Sequence, residues 1–356
     1  MAGLTLLPFD PLLDLPPWVG QRQASFRFEM YNGVTGENLG LVHPMRSASM
    51  THDTTRTIKR QMTLDFGAVD TAAIDTITAR IKPFMVFPNG TSYPLGTFMF
   101  TDASRQVFSS GKLGSMAMND EMFLVDQQID AGIGGNAAGL GVNTLVPKVL
   151  AGLPIEFEMQ SSPYGSVESW SIGTRRGTIL EALSITGDFF SPWFGNDSKL
   201  HFIRSFDPAM KIPEFDFDAG NQVLRADIIE SDNLLTAPNR FIVISNSATD
   251  PTLPVFGSAS VPQTAPHSLA NRGFEILETQ DLQVAGIGQA QAIAQNLVNR
   301  QTIFETVSLT TPPDPRHDSY NVIRWQGELW LELGWSLAMT EGGAMNHLMR
   351  KAYRHG

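Results

Sequence analysis

The clearest hydrophobic pattern in the chain lies between residues 289 and 339. In the segment 289–300, apolar side chains recur with the i, i+3, i+4, i+7, i+8 spacing of one helical face: Ala290, Ile293, Ala294, Leu297 and Val298. This spacing predicts an amphipathic helix. Residues 302–310 are mostly β-branched or aromatic, so we expect the helix to lead into a strand with no loop between them.

A further strand is predicted after the Pro-rich turn at 311–315. Apolar residues occupy every second position from 329 to 339: Leu329, Leu331, Leu333, Trp335, Leu337 and Met339. A period of two over this length predicts a strand with one buried face and one polar face.

The first third of the chain also shows a period of two. Phe26, Phe28 and Met30 share one side of a predicted half-buried strand, which a turn at 32–33 ends. A longer strand is predicted over 55–66, where only Arg60 interrupts the apolar side. Residues 70–80 predict a weak helix or an irregular crossover, and 80–108 return to β structure around a turn at 88–90. Residues 112–125 predict either two strands or a strand followed by a turn. Together these segments predict a small β-barrel or sandwich.

The middle of the chain mixes helix and strand signals. A short helix opened by Pro147 is predicted over 145–150, a strand over 155–159, and a helix within 171–186 that Gly187 caps. A hairpin with its turn at 195–197 follows. A third unit starts near Val223 and contains a short apolar strand at 241–244, a Pro/Ser/Thr loop at 251–266 and the helix at 289–300.

The Gly-rich segment 132–141 is typical of a flexible linker. It lacks the Gly-Lys-Ser/Thr ending of a Walker loop, because the nearest lysine, Lys148, lies outside it. Gly132, Gly134 and Ala137 satisfy the loose spacing of a dinucleotide-binding loop, but no clear strand precedes them. We therefore expect a linker rather than a nucleotide site.

Composition and charge narrow the function classes. A chain of 356 residues is long enough for two or three domains. The absence of cysteine excludes disulfides, structural Cys-zinc sites and thiol catalysis. A formal net charge of −11 argues against a surface that grips DNA phosphates.

Residues 1–23 are apolar but rich in proline, and they lack the basic start and cleavage site of a signal peptide. We expect an extended arm that a neighbouring subunit covers, because it carries too many apolar side chains to remain in water. The sequence contains no uncharged apolar run long enough to span a membrane.

Candidate metal sites are weak in the sequence. Seven histidines are scattered without the short spacing of metal sites, so surface or turn positions are expected for all of them: His43, His52, His201, His267, His317, His347 and His355. Asp216, Asp218 and Gly220 are similar to the start of a calcium loop, but the distal position holds Asp227 in place of glutamate. A turn is the better interpretation.

Candidate catalytic and binding groups are equally sparse. Glu156 and Glu158 would share one face of a short strand, as a carboxylate pair for glycoside cleavage does, yet no other polar group converges on them. Five tryptophans could bind sugar, but core or subunit contacts are the default interpretation: Trp170, Trp193, Trp325, Trp330 and Trp335. The basic end with Arg350, Lys351, Arg354 and His355 is expected to be a solvated tail, or to pair with an acidic neighbour. We expect no catalytic, cofactor or metal site.

The order of elements at 290–339, a helix, a strand, a Pro-rich turn and a final strand, resembles the C-terminal module of tail-hub proteins (minor tail or baseplate hub proteins) of siphophage-type bacteriophages. The segment GWSLAMTEGGAMNHLMRKAY completes the likeness. The resemblance covers most of 24–350. It implies a mainly β fold with an α+β insertion: an arm at 1–23, a tube-like barrel at 24–128, an α+β hub domain at 129–222 and a second tube-like domain at 223–356.

The resemblance also implies a function. Such a protein is a structural, non-enzymatic homotrimer that closes the distal end of the tail tube in the virion, after assembly in the host cytoplasm. The implied partners are the tail tube or distal tail protein, the tape measure protein and tip or fibre proteins, without stable insertion into a membrane. Genomic DNA would pass through an acidic lumen without specific binding. Two alternatives remain open: a distal tail protein, which forms a six-membered ring, and a β-rich enzyme that acts on polysaccharides.

Overall fold

The structure is a computed structural model that describes residues 24–353 except 43–44, 67–74, 109–110, 135–139, 167, 219–222, 230–234, 246–254, 283, 285 and 302–304. The predicted N-terminal arm, His43, Gly220, Arg354 and His355 lie outside this part. Within it, no helix is long and apolar enough to cross a membrane.

The first part of the chain forms eight antiparallel strands. Their bounds are β1 Ser25–Asn32, β2 Asn38–Leu41, β3 Met45–Asp53, β4 Arg60–Phe66, β5 Ala79–Val86, β6 Ser92–Pro94, β7 Phe98–Phe108 and β8 Gly111–Asp120. Alternating side chains of these strands fill one core, in which Met50, Leu64, Ile81 and Phe98 are fully buried. The helix α1, Met122–Val125, follows β8.

The middle part packs helices against short strands. Its elements are β9 Ile133–Gly134, β10 Leu140–Gly141, α2 Val142–Leu150, β11 Phe157–Met159, β12 Gly165–Ser166, β13 Ser169–Trp170, α3 Arg176–Thr186, β14 Trp193–Phe194 and β15 Leu200–Phe202. Leu145, Val149, Ile179 and Leu183 bring α2 and α3 into one core, which Phe202 of β15 closes.

The last part begins with a short 3-10 helix, Pro208–Met210. It continues as β16 Phe215–Asp216, β17 Arg225–Ile229, β18 Arg240–Ser245, β19 Val255–Ser260, α4 Leu269–Arg272, β20 Leu277–Asp281, α5 Ile287–Arg300, β21 Thr306–Thr311, β22 Val322–Trp325, β23 Glu328–Ala338 and β24 Met345–Lys351. The helix α5 lies on the sheet β19-β18-β20 and approaches it closely at Gly257, where a Cβ atom would stand 2.3 Å from the backbone of Ala290.

One continuous sheet joins the two ends of the chain. Its strand order is β17-β21-β24-β23-β3-β4-β8-β7-β5-β1-β2, and β6, β16 and β22 attach at its sides. The junction is the antiparallel pair β23–β3, in which Gly334 lies opposite Asp53. A side chain at Gly334 would meet His52 O at 2.4 Å, so the close pairing of the two strands depends on this glycine.

These elements confirm the predicted mainly β class with an α+β insertion. The helix predicted at 289–300 is α5, and its Ala290, Ile293 and Ala294 are fully buried. The strands predicted at 26–30 and 241–244 and the turn at 88–90 are also present. The pairings between described strands form a path with two ends, so closure into barrels stays a prediction, as do the domain boundaries.

Several local predictions are wrong. The strand expected from residue 55 begins at Arg60, because the Asp53 carboxylate accepts hydrogen bonds from the backbone N–H and hydroxyl of Thr55 and holds 53–58 as a turn. The strand predicted at 302–310 is described as Thr306–Thr311, and residues 302–304 lie outside the described part of the chain. The helix α2 starts at Val142, so Pro147 lies in its middle rather than opening it.

Two further corrections concern strands. The two ends of the predicted linker 132–141 are paired in strands, β9 with β13 and β10 with β12, whereas its middle, 135–139, lies outside the described residues. The strand β23 is buried on both faces rather than one, with Trp330 and Glu332 as buried as Leu331. A shift of register against β24 between Glu332 and Gly334 accompanies this change.

Candidate functional site

Several buried polar residues lie in or around the loop 312–321, which connects β21 to β22. The loop brings Asp314, His317 and Ser319 into the interior, each less than 7% exposed. It is held locally, because the Asp314 carboxylate accepts hydrogen bonds from the backbone and guanidinium of Arg316 at 2.6–3.0 Å. The loop therefore works as a fixed scaffold between the two halves of the sheet.

Two consecutive cationic residues are buried near this scaffold: Arg60, the first residue of β4, and Lys59, which precedes it. Arg60 is 1% exposed and donates to Asn196 Oδ1 and to Asp318 Oδ1, both at 2.6 Å. Its guanidinium also lies over the ring of Trp335, 5.5 Å from the centroid. A single side chain of the first part of the chain thus binds the β14–β15 hairpin, the loop 312–321 and β23.

Lys59 is buried beside it and points to another part of the chain. Its ammonium donates to Ser191 Oγ at 2.7 Å and to Arg56 O at 2.9 Å. Burial lowers the pKa of Lys59 to about 8, although the carboxylate of Glu181 opposes this effect. In the strand predicted over 55–66, Lys59 alternates with the apolar side and would face solvent, so its burial corrects that prediction.

A second buried cluster consists of His317, Glu332 and His347, which we call the His-Glu-His cluster. Glu332 is fully buried in β23, and its two carboxylate oxygens face the two rings: Oε2 is 3.0 Å from His317 Nδ1 and Oε1 is 2.6 Å from His347 Nδ1. Phe215 stacks on His317 with centroids 3.8 Å apart. The cluster joins the loop, β23 and β24.

The pKa values of Glu332 and His347 depend on the other members of the cluster. Burial alone would raise the pKa of Glu332, but the charge of His317 and hydrogen bonds from both rings hold it below its ordinary value. Burial lowers the pKa of His347. Because imidazole and carboxylate donors all lie within 4.8 Å of one another, the cluster has the ligand types and the convergence of a metal site.

A cavity of about 540 Å³ opens beside the scaffold, between the β14–β15 hairpin and the loop 312–321. Trp193 and Phe215 form its apolar walls, and Glu158 and His201 lie at its rim. His201, Asp197 and Glu158 also converge within 4.8 Å, but Lys199 already forms an ion pair with Glu158 at 2.6 Å. Hydrogen bonding to Asp197 raises the pKa of His201 above its ordinary value, although burial opposes it.

The prediction of surface or turn positions is wrong for His52 and His347, which are buried in strands β3 and β24. His267 lies in a turn and His317 in the loop 312–321, but both are 1% exposed, and His201 in β15 is partly buried. Sequence spacing does not reveal the His-Glu-His cluster, because His317 and His347 each lie 15 residues from Glu332. Glu332 itself occupied the expected polar face of β23. The interruption of the apolar pattern at Arg60 was the one signal in the sequence for a buried polar network.

Neither carboxylate candidate joins the His-Glu-His cluster, but Glu158 lies beside Asp197 and His201, so the expectation that no other polar group converges on it is wrong. Glu158 is in β11 and exposed, Glu156 directly precedes that strand, and both carboxylates raise the pKa of Lys199, Glu158 more strongly. Asp218 accepts hydrogen bonds from the backbone of Gln326 and Gly327, and Asp216 pairs with Arg324 at 3.2 Å. The two aspartates thus support the β22–β23 turn, in agreement with the turn interpretation.

Most of the tryptophans and Arg350 of the basic segment 350–355 are buried. Four of the five tryptophans named above are core residues less than 7% exposed, as expected, and Trp170 is partly buried. Arg350 is 2% exposed and donates to Asn299 O at the end of α5, so the solvated-tail prediction is wrong for it. Burial lowers the pKa of Arg350 to about 9.

No protein-family model matches the sequence, and no curated protein matches it either. Solved structures do match. The 43 kDa tail protein of prophage MuSo2 from Shewanella oneidensis superimposes with a TM-score of 0.62 and 13% identity, over 92% of this chain and 99% of that protein. A tail protein from Neisseria meningitidis MC58 gives 0.60 and 12%, over 92% and 96%.

The likeness extends beyond tail proteins of prophages. The c3393 protein of E. coli, a component of the type VI secretion system, superimposes with a TM-score of 0.52 and 10% identity, over 89% of this chain and 76% of that protein. At this level of identity the likeness concerns the fold. The chain therefore has the fold that these two tail proteins share with the type VI secretion component.

Proposed function

We propose that this protein is a structural component of a phage tail or tail-like particle, namely the tail hub that closes the distal end of the tail tube. The observation that carries the proposal is the fold likeness, which spans 92% of the chain and nearly the whole of the Shewanella tail protein. A match over the full length of both chains argues for a shared architecture rather than one common module.

The proposed assembly is a homotrimer around a DNA-exit channel. The long sheet has an end strand on each side: in the described part of the chain β2 pairs with β1 alone and β17 with β21 alone. Leu39 and Leu41 of β2 are 43% and 51% exposed. Exposed strand edges with apolar side chains are a liability in a monomer, and a neighbouring copy in a ring would cover them.

The net charge suits a channel for DNA. With a formal charge of −11, the protein would repel phosphates at a lumen surface and let DNA slide without binding. The proposed neighbours are the tail tube or distal tail protein, the tape measure protein and tip or fibre proteins. The site would be the distal end of the tail in the virion, after assembly in the host cytoplasm, and the role would be non-enzymatic.

The test is the assembly state of the purified chain. We expect trimers by light scattering, and hollow rings with three copies by electron microscopy. A Leu41→Lys substitution on the edge strand should shift the protein toward monomer, whereas Val34→Lys, at a turn position 79% exposed, should leave the trimer intact. A wild-type monomer at micromolar concentration would refute the hub proposal, and a ring of six would favour the distal tail protein.

A second candidate is a component of a type VI secretion apparatus, which the likeness to the E. coli c3393 protein favours. Particles purified from the producing cells discriminate between the two. Detection of the chain in DNA-containing phage particles supports the tail hub, and detection in DNA-free secretion assemblies supports the second candidate. For the polysaccharide-acting alternative, Glu158→Gln should abolish glycan cleavage if any such activity is present.

A further inference from the structure

The His-Glu-His cluster has features beyond a hydrogen-bonded triad. Glu332 is 0% exposed, and both of its ion-pair partners in the described part of the chain are histidines. A buried carboxylate is strongly unfavourable unless a positive charge compensates it. Two neutral imidazoles would provide hydrogen bonds to it but no charge.

The surroundings of His347 indicate where that charge belongs. Thr311 Oγ1 donates to Pro312 O at 3.0 Å and lies 2.8 Å from His347 Nε2. A hydroxyl has one proton, so with that proton on Pro312 O, Nε2 is the donor to Thr311. In that arrangement Nδ1 of the neutral ring and Glu332 Oε1 are both acceptors at 2.6 Å, so a positive charge has to lie between them, supplied either by a second proton on the ring or by a metal ion.

We propose that the His-Glu-His cluster binds one divalent transition-metal ion of the Zn²⁺ class. The two Nδ1 atoms and the two oxygens of Glu332 supply four donor atoms, the number in a closed structural zinc site. Imidazole and carboxylate are ligands that zinc accepts, and the hydrogen bond from His347 Nε2 to Thr311 orients the ring as outer partners of metal-binding histidines do. Phe215 fixes the ring of His317 by stacking.

The geometry requires one small adjustment. Zinc binds nitrogen and carboxylate oxygen at about 2.0–2.2 Å, so His347 Nδ1 and Glu332 Oε1 must separate from 2.6 Å to about 3 Å around the ion. A bound ion would clasp the loop 312–321 to β23 and β24 beside the β23–β3 junction. Its role would be structural, because all three residues are enclosed.

The first experiment uses the wild-type chain. Protein stripped with a chelator is titrated with Zn²⁺ and with Co²⁺, and bound metal is measured by equilibrium dialysis and elemental analysis. We expect one equivalent per chain, a visible Co²⁺ spectrum typical of four-coordinate nitrogen and oxygen ligation, and a melting temperature that rises with free zinc. Substoichiometric binding, or a melting temperature that zinc leaves unchanged, would overturn the proposal.

Variants then locate the ion. His317→Gln and His347→Gln should each lower the bound metal at least tenfold. His52→Gln is the matched control, because His52 is also buried and also hydrogen-bonded to the loop, at Ser319, but lies outside the cluster. It should retain one equivalent.

A second control addresses the rim of the cavity, where Glu158, Asp197 and His201 also converge. His201→Gln should keep the equivalent of metal. If that variant loses the metal while folded His347→Gln retains it, the ion belongs to the rim and the proposal for the buried cluster is wrong. Should a buried variant fail to fold, His201→Gln still decides: loss of the metal in that folded variant overturns the proposal, and retention of one equivalent supports it.

Discussion

Replacing Arg60 by methionine should weaken the contact between the two halves of the molecule more than any surface charge does. The guanidinium binds Asn196 and Asp318 at 2.6 Å and packs over Trp335. Methionine retains most of the aliphatic volume but none of the donors. The substitution therefore separates the effect of the buried polar contacts from that of packing.

The expected loss of unfolding free energy depends on the solvent contact and the hydrogen bonds that the Asp318 carboxylate keeps. Removing one member of a buried ion pair typically costs about 3–5 kcal/mol. The side chain of Asp318 is 28% exposed and still accepts hydrogen bonds from Trp193 Nε1 and its neighbour Ser319 N. Partial hydration places the loss at the lower end, about 3 kcal/mol of unfolding free energy. Of this, about 2 kcal/mol should appear as coupling between Arg60 and Asp318.

Urea denaturation of the wild type, Arg60→Met, Asp318→Asn and the double variant measures that coupling. The exposed pair Arg324–Asp216, at 3.2 Å, is the matched control, because it joins the same residue types at 46% and 39% exposure. Its coupling should stay below about 1 kcal/mol. A coupling at Arg60 no larger than that of the control would refute the view that Arg60 holds the two halves together.

Three further variants test burial elsewhere. Burial lowers the pKa of Lys59 to about 8, so between pH 8 and 10.5 the folded chain has released this proton while the unfolded chain still holds it. The unfolding free energy of wild type, measured by urea denaturation, should therefore rise by about 3 kcal/mol relative to Lys59→Met across that range. Burial raises the pKa of Asp120 to about 6, so between pH 4 and 6 the folded chain keeps a proton that the unfolded chain has released. The unfolding free energy of wild type should therefore fall by about 3 kcal/mol relative to Asp120→Asn over this range, and parallel curves of unfolding free energy against pH would contradict this. Gly257→Ala should destabilise by about 2 kcal/mol, since its Cβ would displace α5, whereas Gly288→Ala in open space should change stability by less than about 1 kcal/mol in thermal melts.

The sequence predicts well those elements whose buried side chains recur with a regular period. The helix α5 follows from its spacing of apolar residues, and it is found within two residues of the prediction. Its polar side was not predictable, because Gln289 and Asn296 bind backbone carbonyls more than 100 residues away. Tertiary contacts of this kind leave no period in the sequence.

The buried polar groups were the main failure of prediction. Charged residues are rarely buried unless paired, and nothing along the chain reveals that Arg60 meets Asp318 across 258 positions. The burial of both faces of β23 has the same origin, because Phe215 and Phe217, remote in sequence, help to cover its second side. Alternation shows that a strand is present, but the number of layers around it depends on the rest of the fold.

The pairing of β23 with β3 has a consequence for biosynthesis. Residues 49–53 pair with 334–338, so during synthesis this edge of β3 remains unpaired until residues 334–338 have left the ribosome. Pairing over such sequence separation makes folding slow and exposes a strand to aggregation in the meantime. A product that ends before residue 334 would leave this edge of β3 unpaired. We therefore expect such shortened products to aggregate or to depend on chaperones more than chains that include β23.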